Sequence, residues 1–315
     1  MNNTTSPATS TLAASITKAA SKQTYYTIRL LTDRGLVDDA YRAYAYFRWV
    51  DDQIDLSASS KSERIAFVQR QTSLLEECYR SETPHDTSIE EQMLVELIQH
   101  DQEKNSGLQL YLRNMMKVMA FDVDRCGRLI SQDELNKYTH NLASAVTEAM
   151  HYFIGNACPS PQDETRYLAV TAAHITHMLR DTIEDVQVGY VNIPMEYLRA
   201  NHIEPHDVQS EAFSEWVKSR VQLARQLFKT GKAYTAQVKN LRCRLAGYAY
   251  TERFEWLLDT IEKEQYYLRP EYDDRKRLSA GLRMGWRALL SMVNLHGDGV
   301  GSHSASTQHH PIREL

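Results

Sequence analysis

The stretch Tyr41–Asp55, YRAYAYFRWVDDQID, restricts what this chain can fold into more than any other. Tyr44, Arg48, Asp51 and Asp55 follow one another at steps of four, three and four, which places them on one stripe of a helix. Ala43, Ala45, Tyr46, Phe47, Trp49, Val50 and Ile54 make up most of the rest. An ordinary surface helix carries an apolar stripe in a polar background. Here a charged stripe runs through an apolar background, so the helix is expected to be buried on most sides with its charges facing an internal cavity. A solvated pair on a surface helix would not be flanked by so many large apolar side chains. Two carboxylates one turn apart in such a place repel each other and lose hydration, and they stay ionised only with a cation between them.

A second stretch repeats the design. In VTAAHITHMLRDTIEDVQVGY, starting at Val170, the residues His174, His177, Asp181 and Asp185 recur at steps of three, four and four. Ala172, Ala173, Ile175, Met178, Leu179 and Ile183 fill the other faces. Two such helices facing each other would set two carboxylate walls across one cavity. Ligands that are all Asp oxygens favour Mg²⁺, which keeps part of its water and bridges to substrate phosphates.

The remainder of the chain reads as helix. Only 12 Gly and 8 Pro occur in 315 residues, and no alternating strand pattern, repeat or dividing linker is present. The expected fold class is therefore all-α, one bundle with its site in the core. Residues 1–20 read as a loose N-terminal arm and residues 296–315 as a disordered tail, leaving 21–295 for the helical domain. Further helices are expected from a cap at Ser62, from the box formed by Ser131 and Glu134, from Ser160 and Pro161, and over residues 272–293. A net charge of −5 and a pI near 6.2 give no footprint for nucleic acid. Cys78, Cys126, Cys158 and Cys243 are widely spaced and suit reduced thiols in the cytoplasm. No segment approaches the ~18 apolar residues of a membrane-spanning helix.

With these segments in view the chain resembles the squalene/phytoene synthase family, the trans-isoprenyl diphosphate synthases that join two prenyl diphosphates head to head. The likeness rests on SKQTYYTIRLL followed by YRAYAYFRWVDDQID, on HMLRDTIEDVQVGYVNIP, and on RFEWLLDTIEKEQYYLRP starting at Arg253. It implies an isoprenoid-synthase-like bundle with a central cavity. It also implies that Asp51, Asp55, Asp181 and Asp185 bind Mg²⁺ gripping the diphosphates. Ser21, Tyr44 and Arg48 would lie near a diphosphate, with Arg180 a further candidate, and Tyr138 matches a Tyr in the family's cavity helix. NADPH use stays open, since such enzymes bind it without a GxGxxG motif. The apolar product suggests transient contact with a membrane surface.

Several positions depart from the family. His174 and His177 stand where Gln and Asn are usual, and Gln187, Val188 and Tyr190 follow Asp185 where the family carries arginines. Ser144 and Thr147 replace glycines, which would reshape the cavity. The two histidines read equally as hydrogen-bonded core groups or as groups that take a proton from a carbocation or, when charged, hold diphosphate. Two other readings use the same residues: a class I terpene synthase acting on one prenyl diphosphate, and a metallo-oxidase with His174, His177 and Asp181 as its ligands.

Overall fold

The computed structural model describes residues 7–56, 59–82, 84–156 and 158–272. Among them are eleven α-helices and two short 3-10 turns, with one isolated bridge between Arg128 and Tyr190 as extended pairing. The all-α expectation holds, but the loose arm expected over residues 1–20 is helical from residue 7. Pro7–Ala20 is a helix, α1, with Ala13 and Thr17 fully buried. The cause lies on α3, Val37–Ile54, where Arg42 is completely buried. Its guanidinium meets Asp39 at 2.8 Å, Glu96 at 3.2 Å and the Ser10 hydroxyl at 2.5 Å. Thr9 completes the set by donating to Glu96 at 2.6 Å. The Ser, Thr and Ala residues that read as a solvated arm are the small groups that allow this close approach.

Caps account for most helix starts. Ser21 caps α2, Lys22–Leu31, and Ser106 caps α6, Gly107–Arg125. Full capping boxes open α4, Lys61–Tyr79, α5, Ile89–His100, and α7, Gln132–Phe153, through Ser60, Ser88 and Ser131. Ser60 thus takes the role expected of Ser62, because Glu63 sits three residues after it and reaches back to its amide. The helix α8, Leu168–Gln187, does not start at Ser160. It is entered through a 3-10 turn, Glu164–Tyr167, capped by Asp163, whose carboxylate accepts from the Thr165 amide at 2.9 Å. A short α9, Met195–Asn201, follows, then α10, Glu211–Gln237, and α11, Leu241–Lys263. The helix expected over residues 272–293 and the tail after residue 295 lie outside the described residues.

Two hydrophobic clusters hold these helices. One joins α3 to α1, α4, α5, α6 and α7, and the other joins α8 to α10 and α11. Met178 packs against both, so the two stripe-bearing helices are fixed in one body of apolar contacts. The α8 end of α10 is tight: a Cβ on Gly231 would come within 2.5 Å of the Ala169 nitrogen.

Candidate active site

The apolar faces of α3 are buried as the sequence requires: Ala43, Ala45, Tyr46, Phe47, Val50 and Ile54 are all in the core. The polar stripe, however, does not stay inside. Tyr44 lines an internal cavity, while Arg48 and Asp55 are exposed one and nearly three turns further on. The side chain of Asp51 is 44% exposed. The carboxylates therefore stand at a solvent-facing rim rather than within an enclosed cavity, while the opposite face of the helix stays in the core as far as Ile54. Arg48 bonds Asp52 and lies 3.6 Å from Asp51. Burial, and then the charge of Asp55, push the Asp51 carboxyl up to about 6 against the opposing pull of Arg48. Asp55 is raised as well, again by burial first.

On α8 the expected stripe divides. His174 is buried against the ring of Tyr138, with centroids 5.1 Å apart, and neither ring nitrogen has a hydrogen-bond partner among the described residues. Burial drives its pKa down to about 3, helped by His177 and Arg125, so it is neutral and cannot hold diphosphate as an imidazolium. His177 is exposed, with Nε2 3.1 Å from Asp181. Arg180 grips the same carboxylate with Nε at 2.6 Å and a terminal nitrogen at 2.7 Å. Asp185 is raised to about 6 by burial and by Asp181, opposed by Arg125 and by a 2.8 Å hydrogen bond from the Asn192 amide.

The link between the two helices is a pair of residues that periodicity alone left out. Asp122 and Arg125 stand on the last turn of α6. The available signal was Val123, a further buried apolar position that carries the pattern onward. Arg125 donates to Asp122 at 2.6 Å and to the Asn192 side-chain oxygen at 2.8 Å, and its guanidinium lies over Tyr138 and Tyr190 at 4.7 and 4.8 Å. Tyr138 donates to Asp122 at 3.2 Å, so its hydroxyl serves this network. Burial raises Asp122, opposed by Arg125, and the charge of Asp55 adds to the rise. Asp122 and Arg125 thus stand electrostatically between the α3 carboxylates and Asp185. The turn after α6 is fixed to the loop after α8 by a 2.9 Å bond from the Gly127 amide to the Gly189 carbonyl. Gly189, at φ +94°, takes a conformation that favours glycine.

Nearer the N-terminal end of α3, around Ala40, Ala43 and Tyr44, lies a cavity of about 350 Å³ walled mainly by α2, α3, α7 and α11. Ile28, Tyr44, Val146, Phe153, Tyr250 and Arg253 are among its lining residues. Ser144 and Thr147 are buried away from it, and Val146, Ala149 and Met150 form the α7 wall instead. The Ser21 hydroxyl acts as the α2 cap, accepting from the Thr24 amide at 3.2 Å. Hard carboxylate oxygens at the rim, several raised by burial and then by neighbouring negative charge, form a donor set suited to a divalent cation. Among the described residues no three His, Cys, Asp or Glu side chains converge into a ready-made metal site. A cation held here would therefore draw further oxygens from a bound ligand. The oxidase set of His174, His177 and Asp181 is likewise not assembled, since His174 points into the core and His177 to the surface.

Among the described residues, eleven helices packed around an apolar cavity, with an acidic pair on each of α3 and α8, have the helical isoprenoid synthase fold of the solved structures they resemble. Solved structures similar to this chain include squalene synthase HpnC from Alicyclobacillus acidocaldarius, at 17% identity and TM-score 0.65 over 83% of this chain and 96% of that one. A dehydrosqualene synthase in complex with a ligand is 17% identical with TM-score 0.70, covering 91% of this chain and 97% of that one. TcSQS with the ligand BPH1237 is 13% identical with TM-score 0.67, covering 91% and 89%. No curated protein matches the chain by sequence. Residues 17–283 match the family model "Squalene/phytoene synthase", and the chain belongs to that family.

Proposed function

We propose that this protein is a Mg²⁺-dependent prenyltransferase that ionises an allylic prenyl diphosphate and joins two such substrates head to head. One observation carries the reading: an aspartate pair on α3 and another on α8, with the carboxyls of Asp51, Asp55 and Asp185 raised, are linked electrostatically through Asp122 and Arg125 at the end of α6. Mg²⁺, when bound, supplies the positive charge that neutralises a departing diphosphate. Asp51 and Asp55 on one side, and Asp181 and Asp185 on the other, would hold it. Arg48 and Arg180 now clamp neighbouring carboxylates. A diphosphate entering between them gives those guanidinium groups a stronger partner and frees Asp181 for a cation. The Tyr44 ring lines the apolar space that keeps water from the carbocation. Arg125, through Asn192, sets the position of Asp185.

A second reading, a terpene synthase acting on a single prenyl diphosphate, is favoured by cavity size. About 350 Å³ is near the lower end for a pocket holding one ligand. Product analysis with geranyl, farnesyl and geranylgeranyl diphosphates, with and without Mg²⁺ and NADPH, separates the two readings and tests for a reductive step. Diphosphate release should fall roughly 10²–10³-fold in Asp51→Asn and Asp181→Asn. Release near the parent rate in both variants would overturn the assignment. No helix among the described residues is long and apolar enough to cross a membrane. A cytoplasmic enzyme that meets a membrane surface only to release an apolar product is consistent with that.

A further inference from the structure

The central cavity contains a charge that the aspartate pairs do not explain. Arg253 projects from α11 into its wall, near Tyr44 and Tyr250. The Arg253 Nε is buried and has no hydrogen-bond partner, and among the described residues no carboxylate forms an ion pair with the guanidinium. Its one close companion is an aromatic face, the Phe254 ring, with the guanidinium carbon 5.3 Å from the centroid. Tyr250 cannot be the missing counter-ion at neutral pH, since burial pushes its hydroxyl up to about 12. The other charge that Arg253 senses is a like one, Arg180, which adds to burial in depressing its pKa, while Tyr250 and Tyr44 oppose that fall.

A half-buried guanidinium in a largely apolar wall, repelled by Arg180 and without a carboxylate partner, is suited to receiving an anion. This chain also lacks arginines at positions 187, 188 and 190, just after its second aspartate pair. We propose that Arg253 is a further binding residue for the diphosphate head of the substrate, supplying from α11 the positive charge that the segment after Asp185 does not. The inference rests on the prenyl diphosphate reading above. Arg253 on α11 lies within electrostatic reach of Arg180 on α8, so the anion would be held from both helices. The planar fork of arginine suits that task, since it can donate two parallel hydrogen bonds to phosphate oxygens.

The test uses the full chain titrated with inorganic pyrophosphate, with and without Mg²⁺, by calorimetry and by thermal melting. Three proteins are compared: the parent, Arg253→Met, which keeps the apolar volume, and Arg253→Lys, which keeps the charge. Expected for Arg253→Met is pyrophosphate affinity lowered roughly 10- to 100-fold, the worth of one charge-assisted hydrogen bond. Its melting temperature without ligand should equal or exceed that of the parent, because an uncompensated cation has been removed. Arg253→Lys should recover part of the affinity. Arg253→Met affinity within twofold of the parent overturns the inference. So does a lowered melting temperature without ligand, which would show that a carboxylate of this chain already pairs with Arg253. If the parent itself fails to bind pyrophosphate with Mg²⁺, the prenyl diphosphate reading fails instead.

Discussion

Replacing Asp185 by Asn should stabilise the protein without metal, and the gain should depend on pH. Asp185 moves from its ordinary 3.8 to about 6 on folding, first through burial and then through repulsion by Asp181. Such a rise means that the folded state disfavours the charged carboxylate. Above pH 6 the group is ionised in folded and unfolded chains alike, and the whole penalty is present. Between pH 6 and 4 the folded protein takes up the proton first, and below about pH 4 the penalty has vanished. A rise from 3.8 to about 6 corresponds to roughly 3 kcal/mol at full value. Asp185 is only partly buried, so solvent screening lowers this to about 1–2 kcal/mol. For a chain of this size that is about 1.5–3 °C in melting temperature. The amide retains an oxygen that can accept the hydrogen bond from Asn192, so the local geometry should persist. The assay is thermal melting of Asp185→Asn and parent in a chelator, at pH 7.5 and at the lowest pH where both stay folded. The variant should melt higher at pH 7.5, the gap should close on acidification, and added Mg²⁺ with pyrophosphate should stabilise only the parent. A variant less stable than the parent at pH 7.5, or a gap independent of pH, would refute the argument.

Two further outcomes follow from residues away from the rim. Arg42→Met leaves Asp39 and Glu96 without their buried guanidinium, so stability should fall by about 3–5 kcal/mol and protease should attack the α1 segment first. Unchanged melting and an intact α1 would show that this helix is held by something other than Arg42. His174→Gln should leave the pH profile of diphosphate release unchanged between pH 5 and 8, because the imidazole titrates near 3 and is neutral throughout that range. The disappearance of a titration step near pH 6 in the variant would return His174 to the list of acid–base groups.

Much of the helical order was legible in the sequence, because helix boundaries are set by neighbours a few residues apart. The box at Ser131 and the Tyr44–Asp55 stripe are both written in i, i+3 and i+4 spacing. Local reading erred where several weak signals competed, as between Ser60 and Ser62, or between Ser160 and Asp163. It also erred wherever a residue's meaning came from another helix. The N-terminal segment became a core helix because Arg42 on α3 bonds its hydroxyls and because Ala13, Leu12 and Ile16 pack into the same cluster.

The candidate site divides along the same line. Composition and spacing by themselves determined an all-helical chain with four aspartates on two apolar helices and a demand for positive charge near them. They could not determine how deep each carboxylate sits, since periodicity assigns a face but not where the neighbouring helices end. The tertiary structure decided that Asp51 and Asp55 stand at an open rim, that His174 is a neutral buried ring while His177 joins Arg180 at Asp181, and that Arg125 ties Asp122 to Asn192 and so to Asp185. Burial and through-space charge depend on residues far apart in the chain. Arg125 lies 67 positions from the Asn192 it bonds at 2.8 Å, a distance that no local pattern encodes.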